Sequence, residues 1–192
     1  MVSELPGWFK INDMLAESDD GRHRERSIES VTMAVVHQIG PSLGHTGAEI
    51  ALAFQDVSTP YSAGQYTGQE MPYTWVIRCD PVGTIDQCLA LTDTGPHAKR
   101  WNAKSCSIAV VGDFNKHEPN NGQVCSLIDL LVLLHGAGIT EVHGHTELPG
   151  ATSDPLKRCP GKYLDMDAIR KEVAFRVREE GIRKMLDAGI RL

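Results

Sequence analysis

The run Ser105-Cys106-Ser107-Ile108-Ala109-Val110-Val111-Gly112 constrains this fold more than any other segment. It is apolar almost throughout, β-branched toward its end and closed by glycine, which is the pattern of a strand buried inside a sheet. A second run, Met33-Ala34-Val35-Val36, ends the segment from Ser27 to His37 and predicts another buried strand. Tyr73 to Arg78 reads as a strand, Asp80-Pro81-Val82-Gly83 as a turn and Thr84 to Thr92 as the returning arm of a hairpin. Thr140 to His145 adds a short strand. Three helical patterns lie between and after these. One starts at Thr46 or Gly47 and runs through Phe54. Val124 to His135 is stopped by Gly136 and Gly138. The last is capped by Asp165 or Asp167, carries Ile169, Val173 and Val177 on one face, and is expected to be interrupted at Gly181. Strands interspersed with helices give an α/β class with a mixed sheet.

With 192 residues, the chain can bury one substantial core. It shows no repeat and no second-domain boundary. The expected layout is an N-terminal arm over 1–26, a main domain over 27–175 and a C-terminal helical extension over 176–192. Charge excludes one class of partner. With 19 basic against 25 acidic side chains, the net charge is −6, whereas a nucleic-acid binder needs a basic face to neutralise phosphates. Membrane insertion is not expected either, because the best apolar run, Leu127 to Leu134, is short and carries Asp129. Met1 to Lys10 lacks the basic start and apolar block of a secretory signal, so synthesis in the cytoplasm is expected. In a reducing compartment the five cysteines stay thiols. Cys79, Cys88, Cys106 and Cys125 have apolar neighbours and are expected in the core. Cys159 differs. Lys157 and Arg158 precede it, Pro160-Gly161 follows, and nearby cations favour its thiolate.

A thiolate and imidazoles are good zinc ligands. His37 closes the first apolar run. His143 and His145 alternate onto one face of a short strand, so either could reach a metal beside Cys159. Two neutral imidazoles and one thiolate leave a Zn²⁺ site with a formal charge of about +1 and one open coordination position. That arrangement lowers the pKa of bound water and polarises a carbonyl. Lys157 would lie near the oxyanion formed during attack. Tyr73 could orient the water or share its proton.

In chain order there is a His at a strand end, a Tyr before a strand, Gly95-Pro96-His97-Ala98 through Asn102, Gly112-Asp113-Phe114 after a strand, Gly144-His145, and Lys157-x-Cys159-Pro160-Gly161. This order resembles the type-2 N-acetylmuramoyl-L-alanine amidases, a group that includes bacteriophage T7 lysozyme-like enzymes and peptidoglycan recognition proteins. The resemblance runs from about Val31 to Asp165. It implies a central mixed sheet flanked by helices, with zinc in a surface groove. It implies that His37, His145 and Cys159 bind Zn²⁺ and that Tyr73 and Lys157 assist catalysis. His97 is a candidate substrate-groove residue, with an ordinary loop histidine as the alternative. The implied substrate is peptidoglycan, cut at the amide between the lactyl group of N-acetylmuramic acid and L-alanine. Gln38 departs from the family pattern, in which a second His or a small polar residue often follows the first ligand. The implied biology is a phage or prophage endolysin, released to the wall by a separate membrane-permeabilising protein. The alternatives on the same fold are a non-catalytic muropeptide-binding module and a regulator that binds another protein. All three ligand positions here carry metal-competent residues, and no sequence feature supports a protein partner.

Overall fold

The two apolar runs lie side by side at the centre of the sheet. In the computed structural model, which describes residues 11–14, 24–40, 46–55, 71–151 and 158–188, strand β3 (Met33–Ile39) pairs in parallel with β7 (Ser105–Val111) over seven residues, His37 opposite Ala109. The hairpin of β4 (Trp75–Cys79) and β5 (Val82–Gln87) joins β7 on one side, and β8 (Glu141–Gly144) joins β3 on the other. Ile11–Asp13 (β1) adds a parallel edge strand to β5. The mixed six-stranded order is β1-β5-β4-β7-β3-β8. A separate two-residue ribbon pairs β2 (Arg24–Glu25) with β6 (Asp93–Thr94).

Strand alternation sorts the side chains onto two faces. Ala34 and Val36 of β3, with Cys106, Ile108 and Val110 of β7, enter the larger core. That core is covered by α2 (Asn121–Gly136) and α3 (Met166–Asp187), through Leu127, Leu130, Leu131 and Leu134 of α2 and Ile169 and Val173 of α3. Each such buried side chain contributes about 2 kcal/mol of apolar transfer. The opposite face carries Val35, Ile39, Ala109 and Val111, divided between two smaller clusters, one of which takes in Ile50 and Ala51 of α1 (Gly47–Gln55). His37 points to this second face, between the two clusters, because it shares the parity of Val35 and Ile39.

Helix ends follow their caps. The Asn120 side chain accepts from the Gly122 N–H at 2.9 Å, and Gln123 Oε1 accepts from the Asn120 N–H at 3.2 Å, a reciprocal capping box. Asp165, rather than Asp167, caps α3 by accepting from the N–H groups of Asp167 and Ala168. The interruption expected at Gly181 does not occur, and α3 runs unbroken to Asp187. A glycine in a helix interior costs only about 1 kcal/mol relative to alanine, too little to break a long helix. Cys125 also departs from expectation, since it lies on the exposed side of α2 rather than in the core. The helix period turns it away from the Leu127–Leu131–Leu134 stripe.

A buried ion pair ties four elements together. Asp86 on β5 is fully buried and accepts from Arg78 Nε and Nη2 of β4 at 2.8 and 2.7 Å, from Asn12 Nδ2 of β1 at 2.9 Å and from the Gly47 N–H of α1 at 2.7 Å. Four donors on one carboxylate satisfy the lone pairs that burial would otherwise strand.

Candidate metal centre

The strand order brings together three segments that are distant in sequence. His37 comes from β3, His145 from the turn after β8, and Cys159 from a loop that packs against both. One ligand atom from each lies within 4.8 Å of the others, and all three residues are buried, at 2–3% exposure. His37 Nδ1 and Cys159 Sγ are 3.8 Å apart. Zinc–nitrogen and zinc–sulfur bonds meeting at a tetrahedral angle would set these atoms about 3.6 Å apart. The donor set and its spacing therefore fit a zinc ion.

Alternation along β8 does not deliver the second histidine. The strand ends at Gly144, and His145 begins a 3-10 turn through Glu147. That turn swings His145 into the interior, while His143 stays partly exposed and pairs with Glu141 at 3.4 Å. His145 Nε2 lies 3.2 Å from the Ala151 carbonyl. A carbonyl only accepts, so the ring proton sits on Nε2 and Nδ1 carries the lone pair a metal needs.

The glycines of the two motifs are explained by close packing. A Cβ on Gly144 would meet Pro160 Cδ at 2.8 Å, so the residue before His145 must be bare for the Cys159-Pro160 segment to approach. Gly161 has φ +108, and a Cβ there would lie 2.6 Å from both Gln38 Oε1 and the Phe114 carbonyl carbon.

The Cys159 loop is held from both sides. Gln38 Nε2 and Asn115 Nδ2 donate to the Arg158 carbonyl at 3.2 and 3.0 Å, and the Thr146 N–H and Oγ1 donate to the Cys159 carbonyl at 3.0 and 2.9 Å. Gln38 Oε1 also accepts from the Phe114 N–H at 2.7 Å, and the Gln38 N–H points at Cys159 Sγ from 3.4 Å. An amide N–H aimed at sulfur favours the thiolate. Gln38 thus fastens the Cys159 loop to β3. Its neighbours across this contact are more than 70 residues away in sequence, so no local pattern signals the role.

Tyr73 precedes β4, with its ring centroid 5.4 Å from that of His37. His97 is 8% exposed, and its centroid is 5.2 Å from that of His37. His37 Nε2 and His97 Nδ1 are 3.1 Å apart, and His97 Nε2 is 3.1 Å from Ser105 Oγ. Burial, with the Arg26 guanidinium adding to it, pushes the His97 imidazolium down to about 3. Asn102 holds the loop in place, its Oδ1 accepting from the Ala98 N–H at 2.6 Å. Lys157 lies outside the described residues.

His37, Tyr73, His97, His145 and Cys159 line a groove of about 890 Å³. Its walls include Tyr73, His97 and Arg158, with Asp113 through Glu118 along another stretch. His117 belongs to this wall. The volume lies within the range of ligand-binding clefts.

The fold recurs in solved structures. The chain is similar to the N-acetylmuramoyl-L-alanine amidase LysC from Clostridium intestinale, with 23% identity and a TM-score of 0.62 over 86% of this chain and 97% of that one. It is similar to the Ph2119 endolysin from a Thermus scotoductus bacteriophage, with 18% identity and a TM-score of 0.64 over 85% and 99% of the two chains. Peptidoglycan recognition protein-LE, solved in complex with tracheal cytotoxin, a monomeric diaminopimelic acid-type peptidoglycan, matches with 17% identity and a TM-score of 0.60 over 82% and 91%. No curated protein matches as a relative. The sequence model of the N-acetylmuramoyl-L-alanine amidases matches residues 27–162, a span that holds His37, Tyr73, His97, His145 and Cys159. The chain belongs to the type-2 N-acetylmuramoyl-L-alanine amidase family.

Proposed function

We propose that this protein is a zinc-dependent peptidoglycan hydrolase that cuts the amide between the lactyl group of N-acetylmuramic acid and L-alanine of the stem peptide. The observation that carries this reading is the convergence of His37, His145 and Cys159 within 4.8 Å on the wall of a large groove. Membership of the amidase family and the likeness to endolysins support it.

Zinc held by these three residues supplies Lewis acidity at the coordination position they leave open. The chain's own groups do the remaining work. His37 and His145 present ring nitrogens, and Cys159 brings the negative charge that makes a buried dication tolerable. Tyr73, beside His37, orients the attacking water and helps move its proton toward the leaving amine. Lys157, two residues before Cys159 in the chain, places a cation near the developing oxyanion. His97 meets substrate through the edge of its ring, because both of its nitrogens are already engaged.

The likeness to endolysins also supports a phage or prophage lysin, made in the cytoplasm and admitted to the wall by a separate membrane-permeabilising protein. Among the described residues no helix is long and apolar enough to cross a membrane.

Mass analysis of fragments released from purified peptidoglycan tests the chemistry. The expected products are intact glycan strands bearing lactyl carboxylates and stem peptides with a new L-alanine amine. New reducing ends, or cuts within the stem peptide, would reject the assignment.

A further inference from the structure

The contacts between Ser105, His97 and His37 have proton directions that follow from one end. Ser105 Oγ lies 2.7 Å from the Trp101 carbonyl, which can only accept, so the single hydroxyl proton of Ser105 is committed there. At its 3.1 Å contact with His97 Nε2, Ser105 must therefore accept, which places the His97 ring proton on Nε2. The His97 ring is buried away from water, where the neutral form with a single proton is favoured, so His97 Nδ1 is an acceptor. At 3.1 Å from it, His37 Nε2 must be the donor. His37 then has its lone pair on Nδ1, the nitrogen 3.8 Å from Cys159 Sγ.

We propose that His97 is a positioning residue of the metal centre, which with Ser105 and the Trp101 carbonyl locks His37 in its Nε2–H tautomer and commits His37 Nδ1 to the metal. The inference rests on the zinc site proposed above and adds to it a residue that touches no metal. The chain of contacts is itself anchored. The Arg26 guanidinium, brought in by the segment after β2, donates to the carbonyls of Leu91, Asn102 and Ser105. The His97 N–H donates to the Gly95 carbonyl at 3.0 Å, and Asn102 grips Ala98. His145 has a simpler arrangement, in which one backbone carbonyl sets its tautomer. Groups that fix a histidine ligand through its second nitrogen typically contribute about 10–100-fold to metal affinity.

The test uses the full chain without substrate, so a role of His97 in gripping peptidoglycan has no influence on it. Long-range ¹H–¹⁵N spectra of the zinc-loaded wild-type protein are expected to show His37 protonated on Nε2. Zinc affinity, measured by competition with a chromophoric chelator, is expected to weaken about 10–100-fold in His97→Ala. His97→Asn places an amide oxygen near the position of Nδ1 and is expected to recover most of that loss. A His37 proton on Nδ1, a His97→Ala affinity equal to wild type, or a His97→Asn protein as weak as His97→Ala would each overturn the inference while leaving the zinc site standing. Wild-type protein that binds no zinc would overturn the site and the inference together. If His97→Ala fails to fold, the wild-type spectrum still decides.

Discussion

Cys159→Ala is expected to lose zinc and wall lysis together, with activity falling to that of a protein-free control. The sulfur is buried, accepts from the Gln38 N–H and stands 3.8 Å from His37 Nδ1, so no water can easily take its place with the same charge and reach. Removing it leaves two neutral imidazoles to hold a dication away from bulk solvent, and an uncompensated buried charge is strongly unfavourable. The fold should survive, because the loop around residue 159 is held through the carbonyls of Arg158 and Cys159, which an alanine keeps. Zinc per chain by atomic absorption and clearing of a wall suspension check this result. Retained metal with full lysis would remove Cys159 from the ligand set.

Lys157→Ala is expected to behave differently, keeping zinc at wild-type stoichiometry while kcat falls by about a hundredfold. The size follows from the loss of one charged partner to the developing oxyanion. KM should move far less than kcat, because the interaction strengthens only as charge develops in the transition state. Steady-state kinetics on a soluble muropeptide, with zinc measured on the same samples, separate the two proposed roles. Unchanged turnover, or a loss of zinc equal to the loss of rate, would take Lys157 out of the catalytic step.

The parts legible in the sequence were those set by strong local patterns. The runs ending at His37 and Val111 could hardly be anything but buried strands, and period two along β3 put His37 on the face opposite Ala34 and Val36. The same rule misled at His145, where the strand stops one residue early and a 3-10 turn aims the ring. A tight turn after a four-residue strand leaves little periodic trace. Strands of two or three residues, such as β1 and β2, were invisible for the same reason. Gln38 stood out only as a departure from the family pattern because its partners are distant, and Ser105 only as a strand residue although Trp101 and His97 lie four and eight residues before it. Nothing next to Gln38 announces that it will reach Arg158 and Phe114, and nothing next to Ser105 announces that its hydroxyl will set the proton on a histidine ligand. The motif glycines were noticed as family marks, but their reason is spatial. Pro160 sits against Gly144, and Gly161 against Gln38 and Phe114.

Zinc content and amidase rate followed on a single preparation through chelation and refilling test the central claim most directly. The account predicts one zinc per chain in the active protein, a rate that declines in step with the metal removed, and recovery when stoichiometric zinc is returned. A metal-free protein that still releases stem peptides at the full rate would contradict it.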